Sequence, residues 1–150
     1  MTSRSTRALA CAVLFVAALV LLSGCGASSS STASSSASPS AAPGTPLEVT
    51  ETMSDAIIKG EFDAGSMTLV KAASVQSEDA PGYYFVALKF SGPEGEQVGV
   101  WATKYLDAGG MIWAVNDVAQ NYTQWPPSDS TGAKLTMETQ GAQVAADAVQ

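Results

Sequence analysis

Residues 26–46 contain only Ser, Ala, Pro, Gly and Thr, and nine of these twenty-one are serine. Such a stretch has too little apolar surface to bury a core and offset the entropy of ordering, so it is expected to stay unstructured and to divide the chain. Everything that can bury a core must come from the roughly one hundred residues that follow, which suits one domain. Both cysteines, Cys11 and Cys25, precede that domain. Its fold is therefore expected to rest on packing alone, without a disulfide. As a flexible chain the Ser-rich stretch has a root-mean-square reach of roughly 25 Å and an extended limit of about 70 Å, the dimensions of a tether.

Upstream lie a cationic start with Arg4 and Arg7, fifteen uninterrupted apolar residues from Ala8 to Leu22, and a small-residue exit. That is the build of a secretory signal peptide. Fifteen residues at about 1.5 Å each cover roughly 22 Å, short of the roughly 30 Å hydrocarbon core, which disfavours a permanent transmembrane helix. Cys11 continues the apolar run and offers no exit, so it reads as a discarded filler. The exit itself, Leu22-Ser23-Gly24-Cys25, resembles the lipobox of bacterial lipoproteins. The resemblance implies that the Cys25 sulfur receives a diacylglyceryl group, that the signal peptidase cuts between Gly24 and Cys25, and that the new amino terminus is often acylated with a fatty acid such as palmitate. Thioether formation requires a sulfur nucleophile, and small residues before it let both enzymes approach the backbone. Two or more acyl chains anchor stably where one is marginal, since each buried CH₂ contributes about 0.8 kcal/mol.

Lipobox, neutral tether and a small acidic domain together resemble the small lipoproteins of high-GC Gram-positive bacteria. The implied layout is a signal peptide over residues 1–24, lipidated Cys25 with its tether over residues 25–46, and a globular domain over residues 47–150. The implied location is the outer face of the bacterial plasma membrane.

Cleavage at Cys25 also removes both arginines, leaving five Lys and no His against fourteen Asp and Glu, a net charge of −9. Nucleic acid is disfavoured as a partner, because its affinity rests on Lys and Arg neutralising phosphates. Adhesion of the protein surface to anionic headgroups is disfavoured on the same ground. The acidity suits a mutually repelling, soluble exported surface.

Within the domain, Thr52-Met53-Ser54-Asp55 suggests a capping box for a short helix over about residues 53–59, with Gly60 as its stop. Met67–Val75 is β-prone, with Leu69, Ala73 and Val75 on one face. Asp79-Ala80-Pro81-Gly82 signals a turn. Tyr83–Ser91 is the clearest strand, with Tyr84, Val86, Leu88 and Phe90 on one face and Lys89 on the other. Gly92-Pro93-Glu94-Gly95-Glu96 closes a hairpin into Val98–Tyr105, where Val98, Val100 and Ala102 alternate with Gly99, Trp101 and Thr103. A turn at Asp107–Gly110 leads into Met111–Val115. Asn116 or Asp117 can cap a helix carrying Val118, Ala119 and Tyr122, which Trp125-Pro126-Pro127 must end. Ser128–Gly132 reads as loop and Gly141–Gln150 as a closing helix. The turns are too short for parallel crossovers, so the expected fold is α+β, an antiparallel meander of about four strands with short helices on one face. A small β-sandwich is the runner-up.

Chemistry is scarce in this chain. A nucleophile needs a base, and the chain has no His, which removes Ser-His and Cys-His arrangements. Ser-x-x-Lys, Gly-x-Ser-x-Gly, the P-loop and Gly-x-Gly-x-x-Gly are all absent from the sequence. Zn²⁺ and Cu²⁺ lose their preferred ligands, and no EF-hand loop offers a Ca²⁺ site. Glu61 with Asp63, Glu78 with Asp79, and Glu94 with Glu96 read as solvated turns rather than metal ligands or a glycosidase acid–base pair. Asn121-Tyr122-Thr123 matches the N-glycosylation sequon, which is expected to go unused on a chain with a bacterial lipobox. No cofactor, metal or catalytic residue is assigned.

The aromatics are the remaining hint of a ligand surface. Tyr83, Phe85 and Trp101 are expected on the strand face opposite Leu88 and Phe90, and Trp113, Tyr122 and Trp125 bracket the second helix. The latter three are the candidate ligand-binding residues, if exposed; core packing is the competing reading for all six. The reading as a whole is a non-enzymatic, membrane-anchored binding module for an unknown envelope protein. A small-ligand or cation-binding lipoprotein is the alternative, and an enzyme with an unfamiliar site ranks last.

Overall fold

The run Tyr83-Tyr84-Phe85-Val86-Ala87-Leu88 has no polar member to mark a wet side. Strands that read as continuous apolar runs are covered on both faces, and that is how the chain folds. In the computed structural model, which describes residues 42–150, the elements are β1 (Pro46–Leu47), α1 (Glu51–Ile58), β2 (Thr68–Gln76), β3 (Tyr84–Gly92), β4 (Gly95–Thr103), β5 (Ile112–Ala114), α2 (Asp117–Tyr122) and α3 (Ala142–Asp147). The signal peptide, Gly24, Cys25 and nearly all of the tether lie outside the described residues.

The five strands form one antiparallel sheet in chain order. The fold is thus α+β with an antiparallel meander, but with five strands instead of four. The additional strand is β1, where Pro46 and Leu47 pair with Val75 and Ser74. Gly44 N–H donates to the Gln76 carbonyl at 3.0 Å just before it. The end of the Ser/Ala/Pro stretch therefore joins the sheet, because a two-residue edge strand needs backbone pairing more than side-chain hydrophobicity. There is no second sheet among the described residues, so the sandwich alternative falls.

Helices cover both faces of the sheet, not one. Val86, Leu88, Phe90, Trp101, Ile112 and Ala114 pack with Met53 and Ile57 of α1 and Ala119 of α2. On the reverse, Val75, Phe85, Ala87, Val100 and Ala102 pack with Ala142, Ala145 and Ala146 of α3, and with Leu135 and Val149. Alanines on both partners let α3, only six residues long, lie close on the strands, and a helix that short depends on such packing.

Local departures from the sequence reading have physical causes. The cap of α1 is Thr50, whose Oγ1 accepts from Met53 N–H at 3.2 Å, so the helix begins before the Thr52 box. A register shift between Leu69 and Lys71 puts an unpaired residue, Val70, into β2. Leu69 consequently pairs with Phe90 while Ala73 pairs with Ala87, so Leu69 leaves the face of Ala73 and Val75. The last helical residue of α2 is Tyr122, ahead of the Trp-Pro-Pro stop, and a single 3₁₀ turn, Ser128–Ser130, occupies the loop beyond.

Candidate functional site

The three candidate aromatics do not meet. Trp113 pairs with Ala102 and so stands on the α3 face, its ring 5.9 Å from that of Tyr83. Tyr122 and Trp125 pack on the opposite face. Trp125 is held by its indole N–H, which donates to the Ile57 carbonyl at 3.0 Å, and its ring lies where a Cβ on Gly60 would sit. Tyr122 meets Phe90 edge-on at 4.9 Å and covers Gly92 in the same way. Phe85 does lie opposite Leu88, but Trp101 shares the face of Leu88 and Phe90 and is fully buried. The Trp101 indole N–H donates to Thr123 Oγ1 at 3.1 Å, and that hydroxyl donates to the Ala119 carbonyl at 2.6 Å. The threonine of the Asn-Tyr-Thr sequon is therefore a buried structural group.

Tyr122 borders a concavity. The loop from Gly60 to Met67 is stitched to the end of α2: Phe62 N–H donates to the Tyr122 carbonyl at 3.1 Å, and Gln124 N–H to the Gly60 carbonyl at 2.7 Å. The Glu61 carboxylate closes the same loop by accepting from Gly65 N–H at 2.6 Å, Met67 N–H at 3.1 Å and Ser66 Oγ at 3.3 Å. Carboxylate-to-backbone bonds of this kind are among the stronger protein hydrogen bonds. Glu61 is thus a loop staple, and its sequence partner Asp63 is left to solvent.

This stapled loop, the β3–β4 hairpin and α2 enclose an open groove of about 340 Å³. Phe62 and Tyr122 supply aromatic surface, Asp63 and Glu94 carboxylates, and Gln97 and Asn121 neutral polar groups. Phe62 is 57 % exposed. No lysine lines the groove, and the only ion pair among the described residues, Lys89 with Glu96 at 2.8 Å, lies outside it.

The other acidic pairs are dispersed. Glu96 is taken by Lys89, while Asp79 Oδ2 accepts from Gln140 N–H at 3.4 Å. Among the described residues no three His, Cys, Asp or Glu side chains converge as a metal site. The groove is a surface for recognition by shape, aromatic contact and negative charge. Of its lining only Tyr122 is a candidate binding residue in the sequence; Asp63 and Glu94 read there as solvated turns and Asn121 as part of an unused sequon. The available signal is Phe62 itself, an aromatic inside the polar, glycine-bounded run Gly60-Glu61-Phe62-Asp63-Ala64-Gly65, where no core strand or helix can bury it.

No family model, curated protein or solved structure matches this chain.

Proposed function

We propose that the chain is an extracytoplasmic lipoprotein, anchored through acylated Cys25 on the outer face of the plasma membrane, whose domain is a non-enzymatic module binding a protein of the envelope. The observation that carries this reading is Leu22-Ser23-Gly24-Cys25 directly after fifteen apolar residues and two arginines. The domain's own features support the binding half. With both sheet faces filled, a partner is left with the outer surface, where the groove beside Tyr122 is available. A small cationic ligand in that groove is the second reading, favoured by Asp63 and Glu94.

Cells fed radiolabelled palmitate are expected to label the wild-type chain and to fractionate it with membranes. Cys25→Ala should reduce label to background and prevent conversion to the mature form. Equal labelling of both chains rejects the anchor.

A further inference from the structure

We infer that the groove bounded by Phe62, Asp63, Glu94 and Tyr122 is a docking site for a basic peptide segment of a partner protein, with one or two Lys or Arg side chains entering beside the two carboxylates. This deepens the partner-binding reading and rests on it.

Charge complementarity selects the occupant. Asp63 and Glu94 have no ion-pair partner among the described residues, and no lysine lines the groove. Elsewhere in the domain Lys89 pairs with Glu96, and Lys104 lies 4.9 Å over the ring of Tyr83. An exposed aromatic beside a carboxylate suits an ammonium or guanidinium, which gains from the ring face as well as from the opposite charge. A volume of about 340 Å³ is at the low end of the roughly 300–1,000 Å³ of ligand pockets, enough for a short segment.

Charge favours a protein over the bilayer, and the groove lies away from the point where the tether joins the sheet. The chain enters the sheet where Pro46 pairs with Val75, beside the first residues of β3, whereas the groove lies at the Gly92–Gly95 hairpin that ends β3. The strand from Phe85, which pairs with Val75, to Gly92 separates the two poles by about 24 Å. Anionic headgroups, moreover, are repelled by carboxylates.

The full acylated chain, ¹⁵N-labelled in zwitterionic micelles, is titrated with capped hexalysine and with capped hexaglutamate. Amide shifts concentrated in residues 62–66, 93–97 and 118–122, given by hexalysine alone and weakened by salt, are expected. Asp63 and Glu94 are exposed, so D63N/E94Q keeps the fold and should weaken hexalysine binding roughly five- to tenfold, each exposed charge contributing modestly. Shifts spread equally over Glu48, Glu78 and Glu138, or unchanged affinity in the double variant, overturn the proposal. Photocrosslinking in intact cells separates it from the reading beneath it. A captured protein whose crosslinked segment carries Lys or Arg, lost in D63N/E94Q, supports both. A protein captured equally by both chains overturns the groove and leaves partner binding standing. Groove binding of hexalysine with no protein captured overturns the protein partner.

Discussion

Asn116 concentrates more backbone accounting than any other side chain in the domain. Its Oδ1 accepts from Val100 N–H and from Ala119 N–H, each at 3.0 Å, and its Nδ2 donates to the Val98 carbonyl at 3.0 Å. One amide thus caps α2 and continues the sheet edge where β5 has already ended. Asn116→Ala removes a cap, worth about 1 kcal/mol, and strands two β4 backbone groups at about 1–3 kcal/mol each when water cannot replace the partner. Asn116 is only half-buried, so water replaces part of what is lost, and about 2–4 kcal/mol is expected in urea unfolding, with Asn116→Asp costing roughly half because it keeps both acceptor bonds and lacks only the donor to Val98. Equal losses for the two variants would show that the Nδ2 bond, not the cap, dominates. Ser74 is the converse. Fully buried on β2, its hydroxyl has no hydrogen-bond partner among the described residues. Removing an unsatisfied group relieves its desolvation penalty at the cost of a very small void, so Ser74→Ala should stabilise by about 0.5–1.5 kcal/mol. A lower urea midpoint for Ser74→Ala counts against this account of the hydroxyl.

Among the elements, β3 and β4 were readable because side-chain alternation with period two is enforced by the pleat, and both strands are long enough to display it. The same runs also held the evidence for two covered faces, since Phe85 and Ala87 are as apolar as Val86 and Leu88. Helices on one face are the expectation when that alternation is taken as one-sided. The face of Leu69 was not readable, because a bulge shifts register by one and reverses every side chain before it. Strand β1 was invisible for another reason: two residues carry no periodicity, and only the pairing with Ser74 and Val75 defines them. α2 announced itself through the Asn116 cap, whereas Thr50 was hidden behind the better-looking Thr52 box two residues later. For the site, Tyr122 was legible as an aromatic near a helix end. Its separation from Trp113 was not, because β5 and α2 carry the two side chains to opposite faces of the sheet, which no local spacing reveals. Asp63 and Glu94 were noticed as members of separate pairs, and only the fold brings one from each pair to the same groove.

For the whole domain, two cores share one sheet, and this sets how it unfolds. Trp101 and Val86 belong to the α1 and α2 side, while their chain neighbours Val100, Ala102, Phe85 and Ala87 belong to the α3 side. Neither core can be lost while β3 and β4 stay intact for the other, because each strand's backbone serves both. Unfolding of the domain should therefore be one cooperative transition, as is usual for a unit of this size. Ile57, buried on the α1 side, and Val149, buried on the α3 side, test this from opposite directions. Truncating Ile57 to Ala should cost about 2–5 kcal/mol. Val149→Ala should cost less, about 1–3 kcal/mol, since fewer methyl groups leave. At a urea dependence of about 1–3 kcal/mol per molar for a domain of this size, either loss moves the midpoint by a readily measured amount. The decisive comparison is between probes. In a Trp113→Phe background, tryptophan fluorescence follows Trp101 and Trp125 on the α1 and α2 side alone, and far-UV circular dichroism follows the whole backbone. With a shared sheet both probes shift together in each variant, and the losses in the double variant add because the sites share no contacts. If Val149→Ala melted the α3 side while fluorescence kept its original midpoint, the sheet would not couple its two faces.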